Sequence, residues 1–286
     1  MKLLNNLKKL GPARAILNIA SRIYRNLTGK TVKNFSAYSR YIYKKNGLEI
    51  GGPSNIFEAR GEIPVYPIIK KLDNCNFSSS TIWEGQIQEG PLFQYDYRQK
   101  TGHQFISEAS NLYKIPDCSY DFLLSSHCLE HSANPIKTVK EWLRVLKEDG
   151  ILLLVLPHKE GTFDHRRPVT ALDHLIDDYK NETTEEDLTH LPEILSLHDL
   201  SRDPMAGDIN SFKARSLCNF ENRCLHHHVF DTKLAIELLT YLNLQIIELD
   251  LIRPIHIAIL CKKIKTVPDN NCFSKSYRSD KHFTNK

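Results

Sequence analysis

A chain of 286 residues, 41% hydrophobic and 25% charged, has the composition of an ordinary globular protein and the length for one large cored domain or two small ones. It contains no apolar run near the roughly 20 residues of a membrane-spanning helix. Its seven cysteines are odd in number and never in C-x-x-C spacing, which speaks against a disulfide framework and for a reducing, cytoplasmic setting.

The first twenty residues show no cleavage site of the secretory kind. Residues 1–48 hold eleven Lys and Arg and no acid, and residues 262–286 carry a net charge of +5. Against a whole-chain charge of +4, the body between them is near −12. Such a body disfavours nucleic acid as the substrate, which a basic face would attract. The basic N-terminus fits peripheral contact with an anionic membrane as well as it fits a solvated flank. Oligomeric state is not legible.

Residues 13–25 place Ile16, Ile19, Ala20 and Ile23 at helical spacing, the pattern of an amphipathic helix within a basic extension, 1–46. "GLEIGG" (47–52) reads as a short buried strand ending in a glycine turn. "FISEA" (105–109) and "YDFLLSS" (120–126) are strands. Residues 133–150 form a helix with Pro135 early, Val139, Trp142, Leu143 and Leu146 as its apolar stripe, and Gly150 as its stop. "ILLLVLP" (151–157) has the continuous apolar character of a central parallel strand. A helix over 231–243 and two closing strands, "LQIIELDLI" and "HIAILCKK", parted by Arg253-Pro254, complete an α/β pattern with a mainly parallel, Rossmann-like sheet and helices on both faces. The His-, Asp- and Glu-rich stretch 159–228 after the fifth strand is too long for a loop. It reads as a mostly helical or irregular insertion beyond the carboxyl ends of the strands, where ligands bind in such sheets. Residues 265–286 read as a basic tail.

The glycine turn lacks the third glycine of a dinucleotide fingerprint. "EIGG", "IPDCSYDFLLSSHCLEH", "EWLRVLKEDGILLLVLP" and the 226–252 segment together resemble the class I S-adenosylmethionine-dependent methyltransferases, especially those with Leu-Glu-His after the fourth strand. The resemblance covers residues 47–264 apart from most of the insertion. It implies S-adenosylmethionine as cofactor. It also implies Glu49, Gly51 and Gly52 along the cofactor's methionine and ribose portions, Glu108 and Ala109 near its adenine, and Ser126 and His127 beside the transferable methyl. Asp73 is the nearest match to a ribose-binding acid. Pro53-Ser54 departs from the pattern, where a further glycine is common.

"HCLEH" (127–131) fits the inverted zinc-peptidase signature, but Asn134-Pro135 interrupts the helix that motif needs. No metal ligands are assigned, although ten of the thirteen histidines lie between 127 and 228 and could hold a divalent metal or supply a general base. The candidates for that base are His158, His127 and His165, with His158 favoured because it directly follows the last central strand. The expected reaction is methyl transfer to oxygen or nitrogen of a small-molecule or glycan acceptor. The alternatives are a non-catalytic binding module docking through its basic ends and a metal-dependent hydrolase.

Overall fold

The computed structural model describes residues 31–96 and 100–276; the expected helix over 13–25 lies outside them. The strands are β1 (Asn46–Ile50), β2 (Lys71–Asn76), β3 (Ser80–Thr81), β4 (Gly85–Gln86), β5 (Gly90–Gln94), β6 (Thr101–Ile106), β7 (Tyr120–Ser126), β8 (Leu146–Pro157), β9 (Leu244–Ile252) and β10 (His256–Lys263). Apart from the β3–β4 hairpin they form one sheet in the order β5-β6-β2-β1-β7-β8-β10-β9. Neighbours from β6 to β8 run parallel, and β10 lies antiparallel between β8 and β9.

The helices are α1 (Phe35–Ile42), α2 (Pro135–Val145), α3 (Leu172–Lys180), α4 (Leu191–Leu197), α5 (Ile209–Leu217), α6 (Asn219–Asn222), α7 (Thr232–Tyr241) and α8 (Asn271–Ser276). β8 divides the core. Leu152, Leu154 and Leu156 pack with α2, α3 and α7 on one face. Ile151, Leu153 and Val155 pack on the other with Tyr38 and Ile42 of α1 and the irregular segment Ile56–Ile69. A strand covered on both faces needs apolar residues at every position, hence the unbroken run.

Helix α2 begins with Asn134, whose side chain accepts from the Lys137 N–H, and Pro135 at its first turn. It ends at Val145, not at Gly150: Leu146 already pairs with Tyr120 of β7, and Gly150 lies inside β8. The insertion is not a separate lobe throughout. Leu175 of α3 belongs to the main core, and only Ile194, Ala206, Phe212 and Leu225 gather in a small cluster of their own. Residues 269–273, expected as tail, are anchored. The Asn270 side chain accepts from the Ile246 N–H and donates to the Leu244 carbonyl and the Thr240 hydroxyl. No disulfide joins the described cysteines, and no described helix is long and apolar enough to cross a membrane.

Candidate functional site

From β1 the chain moves outward to β2 and β6, then returns to β7 on the opposite side of β1. The switch point therefore lies between β1 and β7, where an open α/β sheet forms its ligand crevice at the carboxyl ends of the strands. Gly51 stands there with φ +80°, a backbone that favours glycine. Gly52 is glycine for another reason: a β-carbon on it would lie 2.3 Å from the Glu49 carboxyl carbon. The Glu49 carboxylate thus occupies the underside of the turn. It is fully buried and accepts from the Ser54 N–H at 3.1 Å, the Ser54 hydroxyl at 2.7 Å and the Tyr66 hydroxyl at 2.7 Å. Burial outweighs these donors and pushes its pKa up to about 7. Asn74 of β2 grips the same turn, accepting from the Gly52 N–H and donating to the Gly52 carbonyl.

The strand ends bring most of the other expected residues to this edge. Glu108 follows β6 by two residues, and its carboxylate accepts from Arg223 of the insertion at 2.7 Å. The Ala109 carbonyl accepts from the Trp142 indole N–H. Ser126 ends β7, and His127 follows with φ +51°. The His127 Nε2 is 2.8 Å from His256 Nδ1. His158 follows β8, fully buried, and its Nδ1 accepts from the Glu160 N–H. Two expected residues stand apart. His165 is paired with Asp199 at 2.9 Å inside the insertion. Asp73 is not at the end of β2 but three residues short of it, bound to the His103 N–H and the Tyr120 hydroxyl. The strand's last residue is Asn76, turned back to Asn74 and Gln104; no acid stands there.

The turn after β7 holds a second group of buried polar residues. Glu130 is fully buried in the short 3₁₀ turn Leu129–His131. Burial pushes its carboxyl up to about 7, against the opposing pull of His226. His131 and His226 lie beside it with ring centroids 4.6 Å apart. Burial, together with its imidazole neighbours, holds His127 well below the usual histidine range. Asp164 bonds His226 Nδ1 at 2.5 Å and Arg167 at 3.0 Å; these partners overcome its burial and hold it at about 2. Arg167, itself buried, also donates to Glu193 and to the His226 and His227 carbonyls. It braces the insertion internally. The zinc-peptidase reading of "HCLEH" fails on geometry, because the stretch is a strand end and a 3₁₀ turn, not one continuous helix. Sequence reasoning missed Glu130 and His226 as partners. The glutamate was visible inside "HCLEH" and the histidine inside "HHH", but nothing in the spacing joined them.

Residues 88–154, from β5 to the middle of β8, match the methyltransferase domain family. Over that segment the chain is similar to a methyltransferase domain. That match spans β6, β7, the 127–131 turn and α2, while β1 and the Gly51–Gly52 turn lie outside it. No curated protein matches the chain. Among solved structures, it is similar to a S-adenosylmethionine-dependent methyltransferase from Aquifex aeolicus, at 9% identity over 81% of this chain and 90% of that one, with a TM-score of 0.40. It is also similar to the 1,6-didemethyltoxoflavin-N1-methyltransferase of Burkholderia thailandensis, at 10% identity over 92% and 87% of the two chains, with a TM-score of 0.42.

Proposed function

We propose that the methyltransferase domain moves the methyl group of S-adenosylmethionine to oxygen or nitrogen of a small-molecule or glycan acceptor. The observation that carries this reading is the exposed backbone at Gly51, set at the switch point. A β-carbon added at Gly51 would meet nothing closer than the Cys128 side chain at 3.5 Å, so the turn presents open backbone toward the crevice. Glu49 and Asn74 fix that turn from below, and a fixed turn is what alignment of two reactants requires. The cofactor supplies an electrophilic methyl carbon on a sulfonium. An acceptor lone pair forms the new bond in line as the carbon–sulfur bond breaks, and its electron pair returns to sulfur.

The remaining requirement is a place for the acceptor's proton. Of the three histidines, His127 is the one half-buried at the β7 end, with His256 behind it as a second imidazole. His158 caps the turn that follows it, and His165 is spent on Asp199. We therefore assign proton removal to His127. The insertion, tied to β6 through Arg223 and Glu108, covers the acceptor side.

Calorimetric titration with S-adenosylmethionine and S-adenosylhomocysteine tests the reading. Micromolar binding of both is expected, and binding of neither would leave a module without turnover. Once an acceptor is found, His127→Ala should lower kcat by about 10²–10⁴-fold with cofactor affinity within a few-fold. An unchanged kcat would remove His127 from the reaction.

A further inference from the structure

Methyl transfer leaves one feature of the β7 turn without a use. Neither oxygen of the buried Glu130 carboxylate receives a hydrogen bond from any described residue. Native proteins seldom bury a carboxylate without donors or a counter-charge. What surrounds it is imidazole. His127 Nδ1 lies 3.7 Å from Glu130 Oε1, and His131 Nε2 and His226 Nε2 each lie 3.9 Å from that same oxygen. These separations are too long for hydrogen bonds. They suit ligands of one ion, since donors about 2.0–2.2 Å from a shared metal stand roughly 3.3–4.4 Å apart between tetrahedral and linear angles.

The outer nitrogens make the case stronger. His226 Nδ1 is held by the Asp164 carboxylate at 2.5 Å, and His131 Nδ1 by the Leu225 carbonyl at 3.0 Å. Metal-ligating histidines have this arrangement: the far ring N–H bound to a carboxylate or carbonyl fixes the tautomer and aims the near nitrogen inward. We propose that Glu130, His131 and His226 bind one divalent transition-metal ion, with His127 at the margin of its coordination sphere. The three donor atoms lie within 4.8 Å of one another. Two imidazoles and a carboxylate suit zinc better than magnesium or calcium, which prefer oxygen throughout. Glu130 and His131 follow β7 and His226 closes the insertion, so the ion fastens the insertion to the switch-point edge.

A second cluster, His174, His190 and His228, is the rival. There Asp178 Oδ2 and His228 Nδ1 also lack a hydrogen-bond partner among the described residues. But His174 and His190 bond each other at 3.1 Å, Asp178 accepts from Thr183 through its other oxygen, and no carboxylate in that group has both oxygens undonated.

The test is metal content of the full-length, tag-free protein by mass spectrometry, after stripping with a chelator and addition of zinc. One zinc per chain should remain after dialysis. Affinity should fall at least tenfold in Glu130→Gln and in His226→Ala and stay unchanged in His174→Ala. If those two variants fail to fold, the stripped wild type still decides. Added cobalt(II) should give the intense visible bands of a four- or five-coordinate site, and one equivalent of zinc should abolish them. Absence of any tightly held ion in the wild type overturns the proposal, as does loss of the ion in His174→Ala with retention in Glu130→Gln. Neither readout involves the methyl donor, so failure here leaves the methyl-transfer reading standing.

Discussion

The turns after β1 and β7 each bury a glutamate completely, beside the same crevice, and solve the problem in opposite ways. Glu49 is met by three donors on two residues, Ser54 and Tyr66, all within its own stretch of chain. Glu130 is met by none, only by imidazole nitrogens drawn from β7's turn and from the far end of the insertion. A carboxylate held by local donors belongs to the turn itself. One held by distant imidazoles waits on a cation, and joins two parts of the chain only when that cation is present.

The sharpest way to break this contrast is Glu130→Leu, measured by denaturant unfolding with and without zinc. With zinc at about a thousand times its dissociation constant, the wild type should gain about 4 kcal/mol that the variant lacks. In chelator the sign reverses, because removing an undonated buried carboxylate in favour of a leucine stabilises by about 1–4 kcal/mol. A variant that is more stable under both conditions would show that no ion serves Glu130.

Glu49→Gln probes the other turn through pH. Its folded pKa, about 7, lies above the ordinary value of 4.5. Below pH 4.5 both states hold the proton and the residue contributes no pH dependence. Between 4.5 and 7 the unfolded state ionises first, so wild-type stability falls as pH rises, by about 3 kcal/mol in all. The glutamine variant should lose that share of the fall, keeping the part that Glu130, also at about 7, contributes, and be the more stable of the two at pH 8. Parallel curves would mean that Glu49 is an ordinary carboxylate.

Smaller effects separate the donors. Tyr66→Phe removes the hydroxyl that donates to Glu49 and accepts from the Ser54 N–H, and should cost about 2 kcal/mol at pH 8. Ser54→Ala keeps the N–H contact and should cost about 1 kcal/mol. Both losses should shrink at pH 4, where Glu49 is neutral in either state.

The sheet's middle was readable because burial on both faces forces unbroken apolar runs. β7, β9 and β10 begin and end where their residue pattern does. β2 was not readable: "KLDNCN" is polar, and its Asn74 and Asn76 become tolerable only by bonding each other and Gln104 of β6. Asp73 looked like a strand end because the pairing that carries β2 on to Asn76 leaves no trace in local composition. The β1 turn was visible for a local reason, its glycines and glutamate being neighbours in sequence. The Glu130 group was half visible. "HCLEH" names two of its members, but His226 arrives through the folding of the whole insertion, and no spacing rule spans that.

Arg223 has its own consequence. It closes an ion pair of 2.7 Å with Glu108 from a left-handed backbone position, φ +54°, between α6 and the 226–228 histidines. A ligand that engages Glu108 at the end of β6 therefore also acts on the part of the insertion that carries Arg223. By linkage, whatever such a ligand does to acceptor affinity, the acceptor does to the ligand by the same factor. If the acceptor binds beneath the insertion as proposed, one salt bridge then gives the two molecules a coupling free energy that is the same whichever enters first.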